Sequence, residues 1–238
     1  MKVSFINDLY RRFYAEHKEE IHDALDRVAS TGQFLQCEEI DKFEEELTKI
    51  VGMKHAVFVA SGTEAMYLSM KALNIGRGDE VITSGHTFRA TLEAIKLTGA
   101  KPVVADVNKN NLIDEIKILS SITDRTKVII PVQIAGDYSI PHIRDDDVVD
   151  SISSCSCSLY KLNIPIIEDA CQALGAKYNR KNVTTACYSF YPAKILGGYG
   201  HGGAVLTNDK YIADDVREMM NHYKVTRGGF GKNAMGDN

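Results

Sequence analysis

The sequence predicts an α/β protein, a three-layer α/β/α sandwich built around a mostly parallel, mixed sheet. Two features of the pattern lead there. Short apolar runs rich in β-branched residues recur from His55 onward, and segments of helical spacing separate several of them. Strands buried on both faces read as continuous apolar runs, and βα alternation implies parallel neighbours covered by helices on both sides.

The N-terminal part is helical in pattern. NDLYRRFYAEHKEEIHDALDRVAS places Leu9, Phe13, Ile21, Ala24, Leu25 and Val28 at helical intervals. CEEIDKFEEELTKIVG puts Ile40, Phe43, Leu47 and Ile50 on one face, the spacing of an amphipathic helix. Strands are then expected at 55–60, 80–84, 101–107, 127–133, 165–169, 187–191 and 203–208, with helices at 64–73, 88–98 and 112–119. The domain reading is an N-terminal helical segment over 1–30 and one large domain over 31–238. IRDDDVVDSISSCSCSLYKLN (143–163) mixes an acidic run with serine and cysteine and reads as a degraded helix plus a loop without assigned function. No internal repeat is visible.

Composition narrows the function classes. The 238 residues suffice for one large domain with a real core. A formal net charge of −4 and no Lys/Arg run argue against a nucleic-acid or anionic-membrane partner. The N-terminus lacks the pattern of a secretory signal, and no window approaches the roughly 18 apolar residues of a membrane span. The five cysteines, Cys37, Cys155, Cys157, Cys171 and Cys187, are odd in number and lack framework spacing, so reduced thiols in the cytoplasm are expected. Cys155 and Cys157 form a C-x-C pair with no further ligands spaced for a metal, and no metal site is expected.

In open α/β sheets ligands bind at the carboxyl ends of the strands, and three such positions complement one another. Ser61-Gly62-Thr63-Glu64 follows the first strand and opens a helix; free N–H groups at a helix start hold a phosphate, although alone the segment reads first as a capping sequence. Glu168-Asp169 ends a strand expected to be central, where an acid is costly unless it meets a cation, whether a protonated ring nitrogen or a protein side chain. Lys194 follows another strand and precedes a run of glycines. Burial disfavours a lysine's charged form and frees the amine for a Schiff base, whereas a lone lysine beside a flexible loop is ordinarily a surface residue. A phosphate cradle, an acid for a pyridinium nitrogen and a Schiff-base lysine are the parts that pyridoxal phosphate needs. Their order, with Lys194 25 positions after Asp169 (194 − 169), looks like that of a fold-type-I pyridoxal-phosphate enzyme.

The local sequences are more specific. TGQFLQCEEIDKFEEEL, SGTEAMYLSMKALNIGRGDEVIT, HTFRATLEAIKLTGAKPVVADV, IPIIEDACQALGA and SFYPAKILGGYGHGGAVLTN all resemble the DegT/DnrJ/EryC1/StrS family of sugar aminotransferases. The resemblance runs from about residue 5 to the C-terminus, apart from 141–163. It implies that Lys194 forms the Schiff base and that Asp169 holds the ring nitrogen protonated. Gln172 matches the residue beside the ring hydroxyl, and Phe88 the aromatic that stacks on the ring. Gly62, Thr63 and Ser189 match phosphate contacts, and Asn238 an asparagine that reaches the phosphate of the neighbouring subunit. Without the resemblance Phe88 reads as a core aromatic, Ser189 as a strand residue and Gln172 as a helix-start polar group.

The implied activity is transfer of an amino group from L-glutamate to a keto group of a nucleotide-linked sugar, by a cytoplasmic homodimer. A catalytically impaired or regulatory large-domain fragment, or a related pyridoxal-phosphate-dependent sugar dehydratase, are the alternatives; the retained Lys194 speaks against dehydratases that replace it with histidine. The sequence departs from the family pattern in a longer 141–163 segment, a shorter stretch between Lys181 and Ala186, and His201 where the family usually has Asp. The family also continues past residues 236–238 into a C-terminal small domain. On that reading the small domain is absent, the face carrying Leu9, Phe13, Ile21 and Leu25 loses a partner, and the chain binds cofactor but turns over nucleotide sugar poorly.

Overall fold

The computed structural model of the chain describes residues 5–137, 163–177 and 180–220, and the backbone of 224–225 and 229–230. Segment 141–162, with Cys155 and Cys157, lies outside the described residues, as does Asn238. The chain divides into two compact units, residues 1–46 and 47–238. The first holds α1 (Phe5–Thr31), kinked at His17, and most of α2 (Glu38–Val51). On α1, Leu9, Phe13 and Leu25 are exposed and Ile21 is half-buried.

The second unit runs β1 (His55–Val59), α3 (Gly62–Ala72), β2 (Glu80–Ser84), α4 (Arg89–Leu97), β3 (Lys101–Ala105), α5 (Glu115–Ser121), β4 (Thr126–Ile130), β5 (Ile167–Asp169), β6 (Thr185–Ser189), β7 (Gly203–Thr207) and α6 (Lys210–Met220). Regular pairing gives two sheets, β3-β2-β4 and β1-β7-β6-β5. Parallel bridges Ile129↔Ile166 and Val132↔Asp169 join β4 to β5, with Asp169 N donating to Pro131 O at 2.9 Å and Gln133 N to Asp169 O at 3.0 Å. Among the described residues the result is one continuous seven-strand order, β3-β2-β4-β5-β6-β7-β1, in which β7 runs opposite to the other six. The short hairpin β8 (Lys224–Val225) and β9 (Gly229–Phe230) follows.

The pleat sorts the apolar runs onto two faces. Val81, Val128, Ile130 and Ile167 join the cluster containing Met66 of α3, Ile95 of α4 and Val216 of α6. Their neighbours Ile82, Ile129 and Ile166 join Ile118 of α5 in a second cluster. Burial on both faces is the reason the strands are continuously apolar. The expected strands and helices are present, with shifted ends. The strand expected at 187–191 lies at Thr185–Ser189, because Thr185 and Ala186 pair with β5 and β7 while Tyr191 leaves the sheet. The helix expected from 112 starts at Glu115, where Asp114 caps it by accepting from Ile116 N and Lys117 N. Helix α6 was not expected. Among the described residues no helix is long and apolar enough to cross a membrane.

Below β5 the same pleat separates two adjacent acids. Glu168, fully buried, turns to the face away from Ile167 and meets Arg180, Nε to Oε2 at 2.9 Å, while Arg180 Nη1 also donates to Val51 O at 3.1 Å. Removing one member of such a pair strands a buried charge, whereas replacing both with apolar groups costs far less. Arg180→Met is expected to lower unfolding stability by about 3–5 kcal/mol. Glu168→Met combined with Arg180→Met is expected to recover most of that loss, and urea midpoints of the two variants check it.

Candidate functional site

All parallel strands end on one edge of the sheet, and of the residues singled out in the sequence Gly62, Asp169, Gln172, Ser189 and Lys194 come together there. Helix α3 begins directly after β1. Ser61 caps it, its hydroxyl accepting from Glu64 N at 3.1 Å, while Glu64 Oε2 reaches back to Ala60 N at 2.5 Å. The capping reading of this segment therefore holds, and it leaves room for the other. Gly62 and Thr63 occupy the first helical positions, whose N–H groups have no acceptor within the helix. A Cβ on Gly62 would lie 2.6 Å from Cys171 Sγ and 2.9 Å from the Ser189 Cβ. A Cβ on Gly203, at the start of β7, would lie 2.3 Å from the Ser61 carbonyl carbon. The helix start is thus wedged against the ends of β5, β6 and β7, a close approach that only glycine permits at both points.

Asp169 ends β5 on the face of α3 and α4, opposite Glu168, and is buried. Its Oδ2 accepts from Thr91 Oγ1 at 2.7 Å and its Oδ1 from Cys171 N at 3.3 Å. Glu80 and Glu168, the other acids buried in these strands, each have a cation: Lys101 and Arg125 for Glu80, Arg180 for Glu168. Among the described residues Asp169 has none. Burying a carboxylate without a counter-charge is costly, so this position fits a cationic ring nitrogen. Of the two acids in the PIIED run, Asp169 faces the site and Glu168 is part of the frame.

Lys194 sits in the loop between β6 and β7, its N–H donating to Tyr191 O at 2.8 Å. The loop is pinned at its base by Phe190, whose N–H donates to Gly202 O at 2.8 Å and whose ring stacks on Phe58, centroids 6.3 Å apart. Lys194 is half-buried, which sets aside the freely solvated surface lysine, and it lines a small depression with Cys171, Gln172 and Ser189. Ser189 Oγ accepts from Tyr191 N at 3.3 Å, leaving its proton to donate. Gln172 is exposed. His201, where the resemblance leads one to expect Asp, packs against Tyr191 with ring centroids 5.6 Å apart. Phe88 stands immediately before α4 and is 65% exposed, so it is not a core aromatic. Burial pushes the Cys171 thiol well above its usual range, and the Asp169 carboxylate adds to the shift. Burial likewise raises Cys187 to about 12, against the Ser69 hydroxyl bonded to it.

Three participants were missed in the sequence: Thr91, Cys171 and Gly203. Thr91 lies three residues after Phe88, and a threonine in the first turn of a helix following a strand end was the available signal. Gly203 belongs to a Gly-Gly pair at a strand start. Nothing in the sequence alone marks Cys171 as the residue that meets Gly62.

Among the described residues, this strand order with helices on both faces is the α/β fold of the fold-type-I pyridoxal-phosphate enzymes. A sequence model of the DegT/DnrJ/EryC1/StrS aminotransferase family matches residues 15–238. The chain belongs to that family, whose cofactor is pyridoxal phosphate. It is 40% identical over 213 residues to the UDP-2-acetamido-2-deoxy-3-oxo-D-glucuronate aminotransferase of Pseudomonas aeruginosa, covering 87% of this chain and 56% of the relative. It is 36% identical over 214 residues to a pleiotropic regulatory protein of Geobacillus stearothermophilus, covering 88% of this chain and 55% of that one. The crystal structure of S. venezuelae DesV with a ketimine intermediate superposes with a TM-score of 0.80 at 31% identity, over 93% of this chain and 58% of DesV. The chain thus spans little more than half the length of the relatives it matches.

The tight contact at Gly62 has a direct consequence. The Ser189 Cβ has no rotamer freedom to retreat, so Gly62→Ala must displace the helix start. The variant is expected to lose about 1–3 kcal/mol of stability and to bind pyridoxal phosphate at least about tenfold more weakly. Thermal melting and a cofactor titration followed by absorbance check both.

Proposed function

We propose that the protein of which this chain is part is a pyridoxal-phosphate-dependent aminotransferase that moves an amino group from L-glutamate to a keto group of a nucleotide-linked sugar. The observation that carries the reading is Asp169, a buried carboxylate without a cation among the described residues, at the same sheet edge as the first helical N–H groups, those of Gly62 and Thr63, and the half-buried Lys194. The P. aeruginosa relative carries a nucleotide-sugar aminotransferase name, and so do the dTDP-3-amino-3,4,6-trideoxy-α-D-glucose transaminases of Streptomyces venezuelae and Micromonospora megalomicea, at 35% and 33% identity. A homodimer in the cytoplasm is the expected setting.

When bound, pyridoxal phosphate supplies an electron sink for the carbanion formed at the carbon bearing the transferred nitrogen. The chain's residues have separate roles around it. The Gly62 and Thr63 N–H groups and the hydroxyls of Thr63 and Ser189 bind the phosphate at the positive end of the α3 dipole. Asp169 accepts from the ring nitrogen and holds its proton there. Phe88 offers a ring face, and Gln172 hydrogen-bonds on the ring hydroxyl side. Lys194 Nζ would hold the cofactor covalently, and its amine when free would be the group that carries a proton.

Borohydride reduction of the chain loaded with cofactor is expected to fix the label on Lys194, read by peptide mass spectrometry. A label on another lysine, or none with cofactor in excess, overturns the assignment. Asp169→Asn removes a charge-assisted hydrogen bond of about 1.5–3 kcal/mol. It is expected to keep the fold and slow the half-reaction with glutamate by at least about tenfold, measured by stopped-flow absorbance in a preparation that shows the wild-type half-reaction.

A further inference from the structure

Thr91 is fully buried in the first turn of α4, and its hydroxyl does not follow the usual helical choice of bonding back to its own backbone. It donates to Asp169 Oδ2 at 2.7 Å and lies 2.6 Å from Thr87 Oγ1. An ionised carboxylate only accepts, so the Thr91 proton points to Asp169. That leaves the Thr91 oxygen to accept, and the Thr87 hydroxyl, which also lies 3.3 Å from Phe88 O, is the donor at the shorter of its two contacts. The two hydroxyls form an ordered chain, Thr87 to Thr91 to Asp169, in which each bond polarises the next. Thr87 immediately precedes Phe88, so the chain ties the residue assigned to the ring face to the one assigned to the ring nitrogen.

The geometry points to Thr91 as a positioning residue for the cofactor: its hydroxyl, oriented by Thr87, fixes the plane of the Asp169 carboxylate. This rests on the reading of Asp169 as the partner of the ring nitrogen. A carboxylate at a strand end swings about two side-chain torsions. Here Cys171 N–H holds one oxygen and Thr91 holds the other, which leaves the remaining lone pairs aimed in a fixed direction. No other hydroxyl donor reaches Asp169 among the described residues. Loss of the Thr91 hydroxyl frees the carboxylate to rotate and leaves the ring nitrogen with a poorly aligned acceptor.

The test uses the full chain with pyridoxal phosphate as probe and three variants, Thr91→Val, Thr91→Ser and Thr87→Ala. Cofactor affinity and the absorption spectrum of bound cofactor are measured, beside a thermal melt. Thr91→Val is expected to bind about tenfold more weakly, with a shifted absorption maximum. Thr91→Ser keeps the hydroxyl and is expected to restore affinity to within about twofold of wild type along with the wild-type spectrum. If Thr91→Val binds like wild type with an unshifted spectrum, or if the serine variant fails as badly as valine, the positioning role is overturned. Should the valine variant not fold, Thr87→Ala decides: an affinity lowered about two- to threefold supports the chain of hydroxyls, and an unchanged affinity and spectrum overturn it. Absence of binding by wild type itself instead overturns the parent reading of the site, which separates the two failures.

Discussion

The cost of burying charge organises this sheet edge. A carboxylate taken out of water needs either a counter-charge or several well-placed donors. The adjacent residues Glu168 and Asp169 satisfy that requirement in different ways because the pleat sends them to opposite faces. Glu168 meets Arg180, a cation that the protein itself supplies. Asp169 receives two neutral donors, Thr91 and the Cys171 N–H, and no cation among the described residues. The electrostatic demand left over at Asp169 fits a cationic ring nitrogen, and Gly62, Ser189 and Lys194 stand at the same sheet edge.

Close packing supplies the second half of the design. The start of α3 approaches the ends of β5, β6 and β7 so closely that side chains at Gly62 and Gly203 have no room. The Ser61–Glu64 capping pair satisfies the donors that would otherwise compete, and the amides at the first two helical positions stay available. Phosphate-binding potential and helix capping are therefore not rival readings of this segment. The cap fixes the helix start, and the fixed start presents the amides. The loop carrying Lys194 is held to the same edge by Phe190, whose stacking on Phe58 links it to β1.

Much was legible from the sequence. The short, β-branched apolar runs from His55 onward pointed to strands buried on both faces, and Val81 and Ile82, like Ile130 and Ile129, do join the clusters on opposite faces. The order of Gly62-Thr63, Asp169 and Lys194 along the chain, with the flanking motifs, specified the family. Strand and helix ends were legible only to within a few residues, because hydrogen-bond partners set them: β6 starts at Thr185 since β5 and β7 extend that far.

What the tertiary structure alone decided is direction and proximity. Period-two alternation puts Glu168 and Asp169 on opposite faces, but only the packed sheet shows which face carries α4 and which meets Arg180. Phe88 had the composition of a core residue and is exposed, because its place before α4 lifts it off the sheet edge. Thr91 looked like an ordinary helical threonine; its meeting with Asp169 joins residues 78 apart in sequence. Cys171 was legible as a reduced thiol at most, and its contact with Gly62 exists only because β1 and β5 end on one edge. Local sequence sets which elements form, since propensity and periodicity act over a few residues. The site depends on side chains that strands far apart in the chain bring within hydrogen-bond reach, and that distance is a property of the folded sheet.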